Sequence, residues 1–441
     1  MIERTGNLGP ENTNDNNKNN NETPVKHGKK AKRRFFPRKP FYIVTFLLMA
    51  IAAAGFLMML IVTDVLPPDL TIILAVAVLV LLLLTCFLFA SRRRWKRIAG
   101  LLFACVFVGV MAFVMNFMGS TYAMIDKISG SSYGATGPAA KSVSITEQPF
   151  NVYITGIDQW ESEKGLDLER SDVNMIMTVN PVTKKILLTS IPRDTYVKLH
   201  TAQQMDKLTH TGVYGVDETI NTVEDWLGID LNYYVKMNFS AAKDIINAMD
   251  GISVYSPVAF ESSLKWYKYE KGWNKMGGSK ALYFARERKA FEGQDSIRVE
   301  NQQRVIKAII KKMTSSSTLL MKYGDIMEAA GDNMATNMPA QDMTELAKMQ
   351  ITELSPWDVE TQKIEGEYDM DYVASLTQSQ KFSVYRADPE SVNKCLAAIR
   401  DITNPSVSEM GDAENSKSRS FVINMIDRAF ERLKSGKAEE E

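Results

Sequence analysis

Three apolar runs, at about 41–62, 70–90 and 98–118, constrain this chain more than any other feature. Each is close to the roughly 20 residues that a helix needs to cross the hydrocarbon core of a bilayer. Their flanks set the orientation. Lys29, Lys30, Lys32, Arg33, Arg34, Arg38 and Lys39 stand directly before the first run. The turn from Thr63 to Asp69 carries no basic residue, and Arg92, Arg93, Arg94, Lys96 and Arg97 crowd the second loop. A basic cluster alone also suits a nucleic-acid segment or a signal-peptide flank, but this one abuts a span. Because cytoplasmic loops carry the excess of Lys and Arg, the N-terminus and second loop are expected inside, and everything after Met118 outside.

The formal net charge of zero is an average over two unlike parts. Lys and Arg outnumber Asp and Glu by 15 to 6 through Met118, which leaves 37 against 46 beyond it. An acidic exported part argues against a nucleic-acid-binding surface. Cys86 and Cys105 fall in the apolar runs and only Cys395 lies beyond them, so no intrachain disulfide and no Cys-type metal site is expected outside the membrane.

The composition divides the chain into a disordered basic cytoplasmic tail at 1–40, the membrane region at 41–118, an extracellular Gly- and Ser-bearing linker at 119–146, and a compact domain at 147–405. A charged tail at 406–441 follows, in which Val422, Met425, Ile426, Phe430 and Leu433 fall at helical spacing. Within the compact domain, Phe150–Thr155, Val173–Val179, Ile186–Ile191, Tyr233–Phe239 and Ile252–Tyr255 are rich in β-branched residues and bounded by turn residues, as strands are. Val216–Leu227 reads as a helix capped by Asp217 and stopped by Gly228, and Ser240–Met249 as one capped by Ser240. A helix from Arg298 to Met313 follows, with others near Ser317–Ala330, Gln341–Ile351 and Ser391–Ile402. Strands alternating with helices of this length predict an α/β domain, a mixed central sheet with helices on both faces.

Four short clusters carry the candidate chemistry. They are Thr155-Gly156-Ile157-Asp158, Arg170-Ser171-Asp172, Ile191-Pro192-Arg193-Asp194, and the stretch from Ala285 to Gln303 with Arg286, Arg288 and Arg298 about a Gly-containing turn. Ligands of open α/β sheets bind outside the carboxyl ends of strands, so parallel strands would set Asp158 and Arg193-Asp194 on one rim. If Asp158 and Asp172 converge at close range they repel, and a divalent cation relieves this; oxygen donors without histidine favour Mg²⁺. Arginines converging beside such an ion suit a pyrophosphate or phosphodiester. Each cluster has a plainer reading when taken singly. An Asp at a strand end is commonly a turn residue, and Arg-Glu-Arg a solvated helix end. Lys207 reads as a surface lysine, and His200 and His210 as ordinary loop histidines.

The four clusters, in this order after a membrane anchor, resemble the LytR-CpsA-Psr family of Gram-positive glycopolymer transferases from about Asn151 to Met313. Arg286-Glu287-Arg288, Gly293, Asp295, Arg298 and Asn301-Gln302, together with Asp206-Lys207-Leu208-Thr209-His210 and the three spans, look most like its streptococcal capsule-locus branch. That branch's accessory domain before the catalytic one has no room in 119–146. The resemblance implies transfer of a polyprenyl-pyrophosphate-linked polysaccharide, capsular or similar, to a peptidoglycan hydroxyl at the outer membrane face, with release of polyprenyl phosphate. It implies that Asp158 and Asp172 hold Mg²⁺, that Arg170, Arg193, Arg286, Arg288 and Arg298 bind the pyrophosphate with help from Gln302, and that an apolar groove takes the lipid. Capsule-assembly proteins are implied as partners. Asp194 or Asp295 is then either the general base or the residue that orients an arginine. A hydrolase of the same donor and a non-catalytic membrane regulator of envelope assembly are the alternatives.

Overall fold

The computed structural model describes residues 39–63, 68–129, 137–157, 170–290, 294–331, 334–353, 355–376 and 379–405. The basic tail before Lys39 and the helical spacing at Phe421–Leu433 lie outside these residues, as does Asp158.

Three helices, α1 (Lys39–Thr63), α2 (Pro68–Ala90) and α3 (Arg94–Ser129), are long and apolar enough to cross a membrane. They pack through Met49, Phe56, Leu60, Val78, Phe107 and Met111, and leave Ile51, Ile61, Leu83 and Phe87 facing outward, where lipid is the matching solvent. Arg97 Nε donates to Ser91 O at 2.7 Å, and the Arg97 guanidinium lies 5.7 Å from the centre of the Tyr42 ring. The basic loop and the start of α1 therefore share one side of the bundle. At 36 residues α3 is about 54 Å long, well beyond a hydrocarbon core of roughly 30 Å. The small and polar residues after Met118, expected as linker, continue the helix to Ser129, because Ser, Thr and Ala tolerate helical backbone and α3 finds a neighbour in a later helix. Nor do residues 137–149 hang free. Lys141 N donates to Asn232 O at 3.2 Å, and its ammonium reaches Glu224 and Asp230 at 2.7 and 2.6 Å.

The domain then unrolls as β1 (Phe150–Ile157), β2 (Ser171–Asn180), β3 (Lys185–Ile191), β4 (Tyr196–Lys198), β5 (Met205–Lys207), α4 (Leu208–Thr211), α5 (Val216–Leu227), β6 (Tyr233–Asn238) and α6 (Phe239–Ala248). A peripheral unit follows, with β7 (Ile252–Ser256), β8 (Phe260–Glu261), β9 (Lys268–Tyr269) and β10 (Gly272–Met276). The remainder is α7 (Gly278–Arg286), α8 (Gln294–Met313), α9 (Ser316–Ala330), β11 (Met334–Thr336), α10 (Ala340–Glu353), β12 (Asp358–Lys363), β13 (Gly366–Asp371), β14 (Phe382–Ala387) and α11 (Pro389–Thr403). The neighbour of α3 is α9.

The central sheet has the order β11-β6-β1-β2-β3-β12. It is mixed: β1 pairs in parallel with β6 and β3 with β12, whereas β2 runs antiparallel to both of its neighbours. The rim expected at the carboxyl ends of β1 and β3 has both of them on one side, because each strand is antiparallel to β2 between them. The carboxyl ends of β1, β3, β6 and β12 meet there, and the opposed strand β2 contributes its amino end, with Ser171 opposite Ile157 and Asn174 opposite Ile191. Alternation along β1 sends Tyr153 toward α5 and α11, and Val152 and Ile154 toward α8 and α10, so helices cover both faces.

Two caps differ from the residues expected. α5 begins after Gly215, at φ 111°, which puts Asp217 inside the first turn, where a carboxylate favours the helix dipole. Asn238, not Ser240, caps α6, its side-chain oxygen accepting from Ala241 N at 2.8 Å. Gly228 does stop α5, in the left-handed region at φ 63°. The helix expected from Arg298 starts one turn earlier at Gln294, so Asp295 belongs to its first turn.

Candidate active site

The turn after β3 is the best-fastened part of the rim. Thr195 closes it, its N–H donating to Pro192 O at 3.1 Å and its hydroxyl to the same oxygen at 2.5 Å. Tyr385 N on β14 donates to Asp194 O at 2.8 Å. Two further backbone bonds, Leu208 N to Thr195 O at 2.9 Å and Thr209 N to Arg193 O at 2.8 Å, bind β5 and α4 to this turn. Arg193 Nη1 donates to Asp172 Oδ1 at 2.5 Å, and Arg193 Nε lies 3.5 Å from Asp194 Oδ2. Lys207 Nζ reaches Asp194 Oδ1 at 3.3 Å. Lys207 is therefore no surface lysine; its side chain is only 14% exposed.

What holds Lys207 there is the residue before it. Asp206 is fully buried and accepts from the N–H groups of Lys207 and Ser375 at 2.7 and 2.8 Å, with His210 Nδ1 at 2.6 Å. Burial by itself would raise the Asp206 carboxyl, but these donors outweigh it and hold the group below the usual carboxylate range. His210, expected as a loop histidine, is a buried member of this clamp on α4. His200 is the more exposed one, paired with Asp225 at 2.7 Å.

Arg286 and Arg288 are spaced by a carboxylate that faces the other way. Glu287 is fully buried and accepts from Ser262 Oγ at 2.8 Å, Ser263 N at 2.7 Å and Ser263 Oγ at 2.8 Å, and from the N–H groups of Arg288 and Ala290 at 3.0 and 3.1 Å. Burial pushes its carboxyl up, and the five donors more than reverse this, leaving it below its ordinary value. The stretch is thus no solvated helix end, because Glu287 pulls inward and the flanking arginines project from a fixed backbone. The Arg286 guanidinium lies 5.0 Å from the centre of the Phe239 ring. On α8, Arg298, Asn301, Gln302 and Gln303 are all buried. Gln303 Nε2 donates to Ser190 Oγ at 2.9 Å and Gln362 O at 2.6 Å, which sets this helix against β3 and β12.

A cavity of about 430 Å³ joins these parts. Its body, between the sheet and α6, α8, α9 and α10, is lined by residues such as Ile154, Met177, Ile246, Ile309, Met327 and Leu346. Gly156, Asn238, Arg286 and Gln302 also line it, so it reaches the rim. The structure therefore brings Arg286 and Gln302 to the cavity that Gly156 and Val173 border, with Asp172 adjoining Val173 and bonded to Arg193. Arg170, directly before β2, is exposed. Asp295 lies in α8, with its side chain outside the described set. Among the described residues there is no group of three or more His, Cys, Asp or Glu able to hold a metal ion.

Residues 115–400 match the model of the LytR_cpsA_psr family. The chain belongs to the LytR-CpsA-Psr family. Among its relatives is the polyisoprenyl-teichoic acid–peptidoglycan teichoic acid transferase TagU of Bacillus licheniformis, 31% identical over 260 residues that cover 58% of this chain and 78% of that one. TagU of Bacillus subtilis is 36% identical over 208 residues, covering 47% of this chain and 66% of the relative. In fold, the chain is similar to protein gbs0355 of Streptococcus agalactiae at a TM-score of 0.51 and 24% identity, covering 60% of this chain and 92% of that one. The relatives named as teichoic acid transferases overturn the capsule-locus placement within this LytR-CpsA-Psr family. The motif arginines could not have made that distinction, since the group they suit, a pyrophosphate, is common to donors carrying either polymer.

Proposed function

We propose that this protein transfers a teichoic acid-type glycopolymer from a polyprenyl pyrophosphate carrier to a hydroxyl of peptidoglycan, releasing polyprenyl phosphate. The observation that carries the reading is the junction of opposites in one site. An apolar cavity ends at Arg286, Gln302 and Asn238, beside the rim that bears Asp172 and Arg193. Only an amphiphile satisfies both halves, with a long hydrocarbon in the cavity and a multiply charged anion at the arginines. The volume lies within the roughly 300–1,000 Å³ of ordinary small-molecule sites. The names of the TagU relatives point to the same donor and acceptor.

In this reading Arg170, Arg193, Arg286, Arg288 and Arg298 neutralise the pyrophosphate, with Gln302 placed beside it. The acceptor oxygen forms a bond to the phosphorus that carries the sugar, and the bond from that phosphorus to the bridging oxygen breaks. The electron pair leaves on polyprenyl phosphate. Charge stabilisation and alignment supply most of such catalysis, so fixed cations matter more than a nucleophilic side chain. Asp194, held between Arg193 and Lys207, positions those cations rather than taking the proton; Asp295 is then the candidate base.

In the same reading Asp172 and Asp158 would hold Mg²⁺. Asp172 offers carboxylate oxygens on the rim, and Asp158 follows directly after Ile157, the register partner of Ser171. Bound there, the ion would offset charge on the phosphoryl oxygens. The catalytic domain, about 147–405, stands outside the cell, because the basic loop at Arg92–Arg97 marks the cytoplasmic side.

The test uses the full chain in vesicles with Mg²⁺, a teichoic acid donor on polyprenyl pyrophosphate, and peptidoglycan. Polymer covalently bound to peptidoglycan in step with polyprenyl phosphate release is expected. Equal release without peptidoglycan would make the protein a hydrolase, and no release with either would sink both enzymatic readings.

A further inference from the structure

The exported part is acidic overall, yet its exposed apolar side chains gather where it is locally basic. Among the described residues beyond Ser129, large apolar side chains are exposed at eleven positions, and five of these fall between Tyr255 and Trp273. Trp266 is 91% and Trp273 72% exposed, values that a soluble surface has little reason to keep for the largest apolar side chain.

The geometry makes this a face. β7 and β10 form a two-stranded antiparallel sheet in which Tyr255 stands opposite Trp273, their rings edge to face with centres 5.6 Å apart. Val254 and Met276 turn inward to the core. Alternation then places Lys275, two residues after Trp273, on the outer face with the aromatic pair, and Lys271, in the bend directly before β10, is exposed as well. In the loop between β8 and β9, Leu264 and Trp266 project beside Lys265. From Glu261 to Lys280 there are five lysines against two glutamates, the reverse of the balance in the exported part as a whole.

We propose that the outer face of β7–β10 and the β8–β9 loop rest on the anionic outer surface of the bilayer in which α1–α3 are anchored. Trp and Tyr favour the headgroup level, where an amphipathic ring meets both phases, and lysines beside them keep their stems in apolar contact while the ammonium meets lipid phosphate. Charge separates this face from the other exposed aromatic group. On β13, Tyr368 and Met370 alternate with Glu367, Asp369 and Asp371, and an anionic surface repels them. Position also favours the bilayer. Glu287 fastens Ser262 and Ser263 at the root of the loop, so docking it fixes Arg286 and Arg288 close to the headgroup plane. The three spans keep the domain within reach of that plane, which makes even a weak contact effective.

The experiment uses the full chain reconstituted in phosphatidylglycerol vesicles, with and without lipid brominated just below the headgroup. Subtracting the emission of Trp273→Phe from that of the wild type isolates the Trp273 signal, and Trp266→Phe does the same for the loop. Both signals should be quenched by the brominated lipid and shielded from acrylamide in the water. Replacing Lys271 and Lys275 together by Gln should lower the docked-to-undocked ratio about thirty-fold, the weight of two lysines near such a surface. Signals open to acrylamide and untouched by brominated lipid would overturn the proposal. Shielding that arises only when soluble peptidoglycan fragments are added would overturn it too and assign the face to sugar chains. Because no turnover is measured, these outcomes are independent of whether the transfer reaction holds.

Discussion

Arg193, in the turn after β3, and Asp172, on the antiparallel strand β2, are joined at the rim by a 2.5 Å bond from guanidinium to carboxylate. The pairing fixes the direction of a cation near the cavity that Arg286 lines. It also leaves Asp172 in a position where losing either partner is felt by the other. Arg193→Ala is expected to lower turnover by about 10²–10³-fold, the usual effect of removing one charge-stabilising donor. Asp172→Asn should lower it as well, and the loss should not be rescued by raising donor concentration. Steady-state kinetics on both variants, with folding checked by thermal unfolding, decides this; wild-type turnover in either would remove the rim from the reaction.

Asp194 is read as a positioning residue, and kinetics can separate that from proton transfer. With Lys207 Nζ and Arg193 Nε at 3.3 and 3.5 Å, its carboxylate is committed to two cations. Asp194→Asn and Lys207→Met should each cause a partial loss, and the double variant should lose less than the sum, with a coupling of roughly 0.5–3 kcal/mol. The acidic limb of the pH–rate profile should survive in Asp194→Asn. Its disappearance would make Asp194 the base.

Glu287 gives a stability prediction with a defined pH window. Its carboxyl lies below the ordinary value of 4.5, so its contribution is complete above that pH and is lost as pH falls through the lower, folded value. Glu287→Gln cannot accept the same set of donors and should destabilise the domain by about 1–3 kcal/mol at neutral pH. The gap between the two proteins should narrow as the pH falls below 4.5, through the lower folded value. Denaturant unfolding of both across that range tests it, and a gap that stays constant with pH would refute the assignment.

These residues also show what a sequence can and cannot disclose here. The spans were legible because a bilayer demands apolar length and nothing else matches it. The strands were legible because β-branched runs between turn residues have few other uses. The caps misled, since Asp217 and Ser240 are both good capping types and only the entering backbone selects Gly215 and Asn238 in their place. Lys207 could not be placed beside Asp194, because the bonds that bring them together, Leu208 N to Thr195 O and Thr209 N to Arg193 O, depend on how β5 returns over the turn. The cavity was hidden for a different reason. Ile246, Ile309 and Met327 are the residues of an ordinary core, and helical spacing cannot tell a filled interior from an open one.

That openness supplies the last prediction. If the cavity takes the carrier's hydrocarbon, filling it should discriminate between donors by chain length alone. Ile309 lines the cavity from α8, and Ile309→Trp places a larger side chain in space already present, so it should avoid most of the roughly 1–3 kcal/mol that overpacking a closed core costs. Displacing even two methylenes of lipid forfeits about 1.6 kcal/mol of burial, enough to raise KM for a full-length polyprenyl donor by about tenfold or more. A donor truncated to a few isoprene units should keep its KM, and kcat should hold for both, since Arg193 and Arg286 at the polar end are unaltered. Parallel kinetics with the two donors is the measurement. An equal rise in KM for long and short donors would place the hydrocarbon elsewhere and leave the cavity without its ligand.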